Sequence, residues 1–461
     1  MAIILPANTL AAGGFNIDNS CRFNDGDSPQ LSKSVGSSAT TKHTLSLWIK
    51  RGTFVSYQRF LTSTGGGGLG DVYYRFNDDD TMEFSSVGDD SAKLILNRKF
   101  RDPAAWMHFV VRYDSTEGAA NDRFRLYING VDERGVGGYS TSTMPTSSEA
   151  DNIVASGNTL RIGATASAQY FDGYMAEVHF SEGYSYAPTE FGEYDEDNSP
   201  TIWKPKEASI SYGTSEFYLD FADCSNLGND KNGGTDLDET NIAATDSSTD
   251  TPTNNFATFN PLNNNSTLTE ANTIATTDNA QKFGASSTLG VSTGKWFWEG
   301  KCNAAWLYIG VDYDPAEALR NNDPIRSHGW CYQDYDGQIY NNGSGSSFGD
   351  TFTTDDIIGI ALDVTNSKLY FSKNGTWQNS GDPTSGATGT GAISITANKT
   401  YFASMGDAGT SVASGVSINF GNPPYAISSG NADGNGYGNF EYAPPSGYLS
   451  LCTKNLGSDG G

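Results

Sequence analysis

Paired carboxylates are the first residues in this sequence that could do chemistry, because glycoside hydrolysis needs one carboxyl as acid and another as nucleophile or base. The closest local string is Glu193-Tyr194-Asp195-Glu196-Asp197. It precedes Asn198-Ser199-Pro200, and no apolar strand adjoins it to hold the carboxyls rigid. An acidic run in such a context is typical of a solvated loop. We therefore predict a loop here and no glycosidase activity.

The histidines, serines and glycines form no pattern that indicates an enzyme. The Gly65–Gly70 run lacks the Gly-Lys-Ser/Thr ending of a phosphate-binding loop, and no serine lies in a nucleophile-elbow string. Two histidines fall inside predicted strands, where a hydrogen-bonded structural role is common. We predict no catalytic residue and a non-enzymatic protein. The four histidines are His43, His108, His179 and His328, and the two inside strands are His108 and His179.

Three oxygen-rich strings could supply ligands to a calcium ion. They are Asp25/Asp27, Asn77-Asp78-Asp79-Asp80 and Asp312/Asp314. Calcium binds about six to eight oxygens at once, so several loops would have to converge. The same strings also suit hairpin turns, because Asn and Asp hydrogen-bond their own backbone. Both interpretations stay open at this point, and we assign no metal ligand and no cofactor.

Aromatic side chains on loops are the candidate ligand-binding residues, because a sugar can stack on their apolar faces. Four lie at or beside predicted turns in the second half of the chain: Tyr332, Tyr335, Tyr340 and Trp377. Each could instead pack in the core. Four tryptophans lie within strand patterns, and we expect them in the core: Trp48, Trp106, Trp296 and Trp298.

Composition excludes some classes of partner. The chain has 461 residues, with 28 Lys and Arg against 54 Asp and Glu, a net charge of −26. Such a surface repels nucleic-acid phosphates and anionic membranes. The five cysteines lie far apart, which predicts free, buried thiols and folding in a reducing cytoplasm. The N-terminal MAIILPANTL has no basic region and no long apolar run follows, so we expect neither a secretory signal nor a membrane span.

The elements that must position these residues are short strands. Abundant Gly, Asn, Asp, Ser and Thr predicts many turns, and 12% aromatic residues suits strands. In Leu160–Gly183, two stretches of period-two alternation flank Asp172-Gly173, which predicts the penultimate hairpin of a sandwich closed by Glu216–Phe221. Asn129-Gly130 predicts a tight hairpin turn. One short helix is predicted at Asp314–Arg320.

The strands group into two antiparallel β-sandwiches of jelly-roll type, an all-β fold. The segment between them is polar, with few residues that could nucleate a core, so we interpret it as a long connector. The predicted organisation is an N-terminal arm at 1–14, a first sandwich at 15–223, the connector at 224–280, a second sandwich at 281–425 and a Gly/Pro/Tyr-rich tail at 426–461.

Five strings follow one another in the first half: Arg22–Ser28, Leu45–Gly52, Phe100–His108, Leu126–Gly130 and Leu160–Gly183. As an ordered set, they resemble the concanavalin A-like lectin/laminin G-like sandwiches of bacteriophage virion proteins. The resemblance covers most of residues 13–223.

Five further strings follow in the second half: Lys295–Glu299, Gly329–Gly343, Ile357–Asp363, Leu369–Gly375 and Ser417–Gly421. They are similar to the SPRY-type sandwich that often follows the first domain in those phage proteins. The tail Phe440–Leu456 also resembles the segment after that domain.

The resemblance implies a non-enzymatic structural component of a phage virion, made in the host cytoplasm. We expect a tail fibre or another appendage that displays lectin-like domains for attachment to host-surface glycans. One alternative is a capsid or head decoration or cement protein without host binding, and another is a polysaccharide-degrading enzyme. Expected partners are other virion proteins, host carbohydrate and further copies of this chain as a trimer, with no nucleic acid and no membrane insertion.

Overall fold

Alternating apolar residues build two sandwiches in the computed structural model of the chain, which describes residues 14–36, 39–65, 71–88, 90–196, 199–278, 282–321, 328–409 and 412–459. The chain divides into a first unit, Met1–Thr253, and a second unit, Asn254–Gly461. The all-β prediction is confirmed, since strands predominate throughout the described ranges. The predicted arm at 1–14 lies outside those ranges except for Gly14, and so does most of the Gly65–Gly70 run.

The first unit consists of short strands joined by turns and single turns of 3-10 helix. The strands are β1 (Ser20–Phe23), β2 (Gln30–Ser34), β3 (Lys42–Arg51), β4 (Gln58–Gly65), β5 (Val72–Phe76), β6 (Met82–Ser86), β7 (Ala92–Leu96), β8 (Met107–Asp114), β9 (Phe124–Ile128), β10 (Val131–Asp132), β11 (Tyr139–Thr143), β12 (Asn158–Ile162), β13 (Gly173–Glu182), β14 (Gly192–Asp195), β15 (Ser199–Pro205), β16 (Phe217–Leu219), β17 (Asp238–Thr240) and β18 (Ser247–Ser248).

These strands form two antiparallel sheets that enclose one core. The first sheet has the order β10-β9-β8-β3-β13-β1-β18, with β16 also on β13, and the second has the order β11-β7-β6-β5-β4-β12-β2-β17. β14 and β15 make a separate hairpin. Along β5, Val72, Tyr74 and Phe76 are fully buried and the residues between them are not, as expected of a strand with one face on a core.

The stretch Leu160–Gly183 contains both predicted strands, but they do not form a hairpin. β12 pairs with β2 and β4 in the second sheet, whereas β13 pairs with β1, β3 and β16 in the first. The prediction of a hairpin was therefore wrong. A bulge in β13 puts Glu177 at a φ of 49° and changes the alternation, so that Met175 before it and Val178 after it both face the core.

The predicted polar connector is not a connector. Its first part belongs to the first unit, where β17 pairs with β2, β18 pairs with β1, and Leu227 and Leu237 join the core. Its second part belongs to the second unit. The boundary between the two units lies at Thr253–Asn254, inside the segment that the sequence suggested was a linker.

The second unit has a similar content of strands and two short helices. The elements are β19 (Phe259–Asn264), β20 (Thr267–Thr269), β21 (Ile274–Thr276), β22 (Lys282–Val291), β23 (Lys295–Ala304), β24 (Leu307–Asp312), α1 (Pro315–Asn321), β25 (Gly329–Gln333), β26 (Gln338–Asn341), β27 (Ser344–Ser347), β28 (Ile357–Asp363), β29 (Lys368–Lys373), β30 (Thr376–Trp377), β31 (Ile393–Ser394), β32 (Tyr401–Asp407), β33 (Gly415–Asn419), β34 (Leu449–Ser450) and α2 (Thr453–Asp459).

Two sheets again face each other across a core. One has the order β19-β22-β32-β24-β25-β26-β27, and the other the order β20-β21-β33-β23-β28-β29-β30, with β31 on β29. The predicted helix is confirmed as α1. The predicted tail is part of this unit, because β34 pairs in parallel with β23 and Phe440 is fully buried.

Local turn and core predictions agree with the structure. Asn129 and Gly130 both have positive φ, 48° and 77°, and join β9 to β10 as a tight hairpin. The four tryptophans expected in the core are buried: Trp48, Trp106, Trp296 and Trp298. Four of the five free thiols are buried as predicted, whereas Cys224 is exposed. Among the described residues, no helix combines the length and the apolar character needed to cross a bilayer.

A buried ion pair holds the end of the first unit against its sheet. Lys50 Nζ in β3 lies 2.6 Å from Asp250 Oδ2, and both side chains are buried. The other Asp250 oxygen accepts a hydrogen bond of 2.9 Å from Trp106 Nε1. Burial lowers the pKa of Lys50, and the Asp250 carboxylate opposes that shift. Removal of either charge would leave the other uncompensated in the interior.

Lys50→Met should therefore lower the free energy of unfolding of the first unit by about 3 to 5 kcal/mol. Lys50→Met combined with Asp250→Asn should recover much of that loss, because no uncompensated charge remains. Urea denaturation followed by tryptophan fluorescence measures both. Lys231→Met is the control, since it breaks an exposed pair with Asp220 and should cost less than about 1 kcal/mol. Equal costs for Lys50→Met and Lys231→Met would contradict the role of the buried pair.

Candidate functional site

An exposed pair of stacked aromatic rings marks one end of the second unit. Tyr335 lies in the turn between β25 and β26 and is 66% exposed, although its ring is large and apolar. Its ring lies parallel to that of the half-buried Trp306, with centroids 4.7 Å apart and an interplanar angle of 14°. An exposed aromatic face that is held by a second ring is a surface on which a sugar or a peptide side chain can stack.

The backbone explains why Trp306 lies at this surface. Residues 305–306 are the whole connection between β23 and β24, which belong to opposite sheets, and Trp306 makes the turn with a φ of 65°. The Asp334 carboxylate accepts from the backbone N–H of Trp306 at 2.7 Å and of Leu307 at 3.1 Å. Burial raises the pKa of Asp334 to about 6, against the effect of these donors. One buried carboxylate thus fixes both loops that carry the rings.

The four predicted ligand-binding residues have different environments. Tyr332 is fully buried, its hydroxyl donates to Asp350 O, and its ring packs among core phenylalanines, so no face of it is open to a ligand. Tyr340 is half-buried and donates to Asp336 Oδ2 at 2.7 Å. Trp377 is half-buried on β30, in the other sheet. Tyr335 is the one of the four with a broad exposed face.

Ligand binding by these residues stays a prediction, now centred on Tyr335 and its neighbour Trp306. Trp306 was not among the predicted ligand-binding residues. A signal was available, because the core-facing residues of β24 are Leu307, Ile309 and Val311, and Trp306 is out of phase with them.

Polar groups around the stacked pair are acidic or neutral. Asp334 and Asp336 flank Tyr335 in the turn, and the Tyr340 hydroxyl already bonds to Asp336. Together with the net charge of −26, this disfavours an anionic ligand. A neutral sugar that stacks on Tyr335 would have the Asp336 carboxylate nearby as an acceptor for a hydroxyl group, whereas Asp334 is buried and accepts from two backbone N–H groups.

The histidine inside β8 is structural. Trp203 Nε1 donates to His108 Nδ1 at 3.0 Å, and an indole N–H is only a donor, so the proton of the neutral imidazole is on Nε2. That nitrogen lies 2.8 Å from Ser46 Oγ and therefore donates to it. A serine nucleophile needs the reverse, a histidine that accepts its proton. Burial, with the nearby His179, lowers the pKa of His108 to about 3.

The histidine inside β13 belongs to a closed hydrogen-bonded group. His179 Nδ1 lies 2.8 Å from the Tyr212 hydroxyl, and Nε2 lies 3.3 Å from Glu177 Oε2. The Tyr218 hydroxyl donates to both Glu177 oxygens, and the rings of Tyr218 and His179 stack at 4.1 Å. The space beside this group is too tight for a water molecule. The prediction that His108 and His179 are hydrogen-bonded residues within strands is confirmed.

A third histidine, His43, lies between a tyrosine and an aspartate in a buried group that no substrate can reach. His43 Nε2 lies 2.8 Å from the Tyr74 hydroxyl, and its Nδ1 lies 3.5 Å from Asp151 Oδ2. All three side chains are fully buried in the first core. The order hydroxyl, imidazole and carboxylate is that of a catalytic triad, but a substrate has no access to these buried side chains, and a reaction would require it.

The prediction of a solvated loop at 193–197 was wrong. Its first residues form β14, and Asp195 is buried and lies 3.4 Å from Lys204 Nζ on β15. Glu193 also lies 3.6 Å from the same lysine. One lysine thus contacts both carboxyls of the string. Asp197 lies outside the described residues.

The oxygen-rich strings do not converge. Asp80 is paired with Arg51 at 3.3 Å and contacts Arg101, and Asp312 lies 3.0 Å from His328 Nδ1. Within the part of the chain that the structure describes, no group of three or more His, Cys, Asp or Glu side chains could hold a metal ion. Asp80 and Asp312 each have a protein partner in place of a cation.

Comparison with known families identifies two domains. Residues 24–187 match the model of the concanavalin A-like lectin/glucanases superfamily, and residues 295–400 match that of the SPRY domain. No curated protein matches the sequence. Domains of these two kinds are typically non-catalytic and suggest a carbohydrate- or protein-binding role.

Three solved structures share partial similarity with the chain. The SPRY domain of human HERC1 is 22% identical over 32% of this chain and 87% of its own, with a TM-score of 0.25. Stonustoxin is 17% identical over 35% of this chain and 27% of its own, with a TM-score of 0.28. A native heptameric SAP-like pentraxin from Limulus polyphemus is 14% identical over 37% of this chain and 80% of its own, with a TM-score of 0.28.

His108→Gln should make the first unit less sensitive to acid. The pKa of His108 is about 3 in the folded chain and about 6.5 in the unfolded chain. The unfolded state therefore binds more protons below about pH 6.5, and His108 lowers stability as the pH falls from there towards 3. Between about pH 6.5 and 4.5, the free energy of unfolding should fall by about 2 kcal/mol more in the wild type than in the variant.

Urea denaturation at a series of pH values measures this difference. Ser46→Ala is the control, because it removes the acceptor of His108 but keeps the buried imidazole, so its pH profile should have the slope of the wild type. Parallel profiles for the wild type and His108→Gln would show that His108 does not titrate in this way.

Proposed function

We propose that this chain is a non-enzymatic structural component of a bacteriophage particle, a tail fibre or another appendage that binds neutral glycans on the host surface. The observation that carries the binding role is the exposed Trp306–Tyr335 stack, which is held in place by a buried carboxylate. Rings that are ordered before binding lose little conformational entropy when a ligand stacks on them. The two matched domains support the same class of function.

Support for a place on the virion comes from the resemblance of both halves, in order, to phage virion proteins. The strings that carry it lie on the scaffold: Leu45–Gly52 covers the end of β3, and Ile357–Asp363 is β28. The loops that this scaffold presents would determine the ligand. Other virion proteins are the proposed partners, and a homotrimer is the proposed assembly.

Mass spectrometry of purified phage particles tests the location. The chain should be present at a copy number that is a multiple of three, as an appendage built from trimers requires. Light scattering of the purified chain should give about three times its mass of 49.2 kDa. Absence from the particles would refute the virion proposal. A copy number that is not a multiple of three, together with a monomeric mass in light scattering, would refute the trimer.

Tyr335→Ala should weaken glycan binding by about tenfold or more, because the exposed stacking face is lost. Screening of the wild-type chain on an array of bacterial glycans identifies the ligand, and titration of the best one with each variant measures the loss. Leu262→Ala is the control, since Leu262 is 57% exposed on β19 and should not affect binding.

If the wild-type chain binds neither the array nor host cells, a head decoration or cement protein would be favoured instead. Release of reducing sugars from host polysaccharide would favour the enzyme alternative. Binding that Tyr335→Ala leaves unchanged would place the site elsewhere on the chain.

A further inference from the structure

A second pair of stacked tyrosines lies in the first unit, just after β13. Tyr184 is 43% exposed, and its ring lies parallel to the ring of Tyr186, with centroids 5.7 Å apart and an interplanar angle of 12°. Since Tyr186 covers one face of Tyr184, the other face supplies the exposed area. This arrangement repeats that of Trp306 and Tyr335: an exposed outer ring on a half-buried inner ring.

Hydrogen bonds fix the inner ring and its backbone. The Tyr186 hydroxyl donates to Ser211 O at 3.0 Å and accepts from Ser211 N at 2.9 Å. Thr44 Oγ1 on β3 donates to Tyr184 O at 3.1 Å and accepts from Tyr186 N at 2.9 Å. Phe191 packs edge-on against Tyr186. The pair is therefore ordered before any ligand arrives.

Charged groups of both signs surround the residues next to the outer ring. Ser185, between the two tyrosines, bonds to Arg112 Nε, and Arg112 in turn pairs with Glu117 at 2.8 Å. Gly183 N donates to the backbone carbonyl of Lys42, whose ammonium lies 3.1 Å from Asp114. Each of these charges is thus paired with an opposite charge. A surface without an unpaired charge in this group suits an uncharged sugar that stacks on the tyrosine ring better than an anion or a cation.

We infer that Tyr184 and Tyr186 form a second binding site for a neutral pyranose unit of a polysaccharide. This inference rests on the proposed glycan-binding function and adds to it that each chain binds at two independent places. A polysaccharide that repeats its units offers many copies of the same ligand, so that several weak single contacts give a strong total attachment.

Affinity electrophoresis of the full-length chain in native gels that contain dextran, mannan or galactan tests the inference. Retardation as a function of polysaccharide concentration gives a dissociation constant for the wild type, Tyr184→Ala, Tyr335→Ala and the double variant. In the polysaccharide that retards the wild type, Tyr184→Ala should weaken binding by about three- to tenfold, and the double variant should migrate as it does without polysaccharide. Tyr184→Phe should bind like the wild type, because it keeps the stacking face.

Tyr194→Ala is the matched control. Tyr194 is 38% exposed in the same unit, but it packs edge-on against Trp203 and has no parallel neighbour, so its loss should have no effect. Thermal unfolding of each variant confirms that the unit remains folded.

The possible failures are distinguishable. If Tyr184→Ala binds like the wild type while Tyr335→Ala loses all binding, the second site is refuted and the proposed function remains. If none of the three polysaccharides retards the wild type and the glycan array also shows no binding, the proposed function fails and this inference fails with it. A loss with Tyr184→Ala that is no larger than the loss with Tyr194→Ala also overturns the second site.

Discussion

A buried carboxylate needs hydrogen-bond donors to replace the water that it has lost. In both units, buried carboxylates bond to irregular segments of the chain and hold these segments against the sheets. Asp250 meets Lys50 and Trp106 and thereby fixes the end of the first unit. In the second unit, Asp334 fixes two loops, and Glu299 accepts from the backbone N–H groups of residues 441 and 442. Burial raises the pKa of Glu299 to about 7. Much of the chain that lacks a regular pattern is ordered in this way.

The same arrangement determines which aromatic rings are available to a ligand. Most aromatic rings are buried in the two cores, where they stabilise the fold because their apolar surface is no longer exposed to water. Tyr335 and Tyr184 differ because both rings are exposed beside backbone that is held in place. Asp334 accepts from the backbone N–H groups of Trp306 and Leu307, and Thr44 bonds to the carbonyl of Tyr184. A rigid support and an exposed face together make a binding surface with little entropy to lose.

The groups that could do acid–base chemistry are directed inwards. His43 and His108 have pKa values of about 3 because the interior disfavours their charged forms, and the hydrogen bond from Trp203 also requires a neutral ring at His108. The Glu177 carboxylate is hydrogen-bonded to a tyrosine and a histidine. The sandwich thus serves as a scaffold, and its fold alone does not specify an activity. Function has to be sought in the loops that the scaffold presents.

The sequence by itself determined the local features, because alternation, Asn-Gly turns and dense apolar strings depend on neighbouring residues. It predicted β13, α1, the hairpin at Asn129-Gly130 and a turn at or beside Tyr335. Only the tertiary structure decided which strands pair, since register and sheet membership depend on residues far away in the chain. For that reason β12 and β13 lie in opposite sheets, the polar segment at 224–280 is shared between two units, and Tyr332 is buried only three residues before the exposed Tyr335.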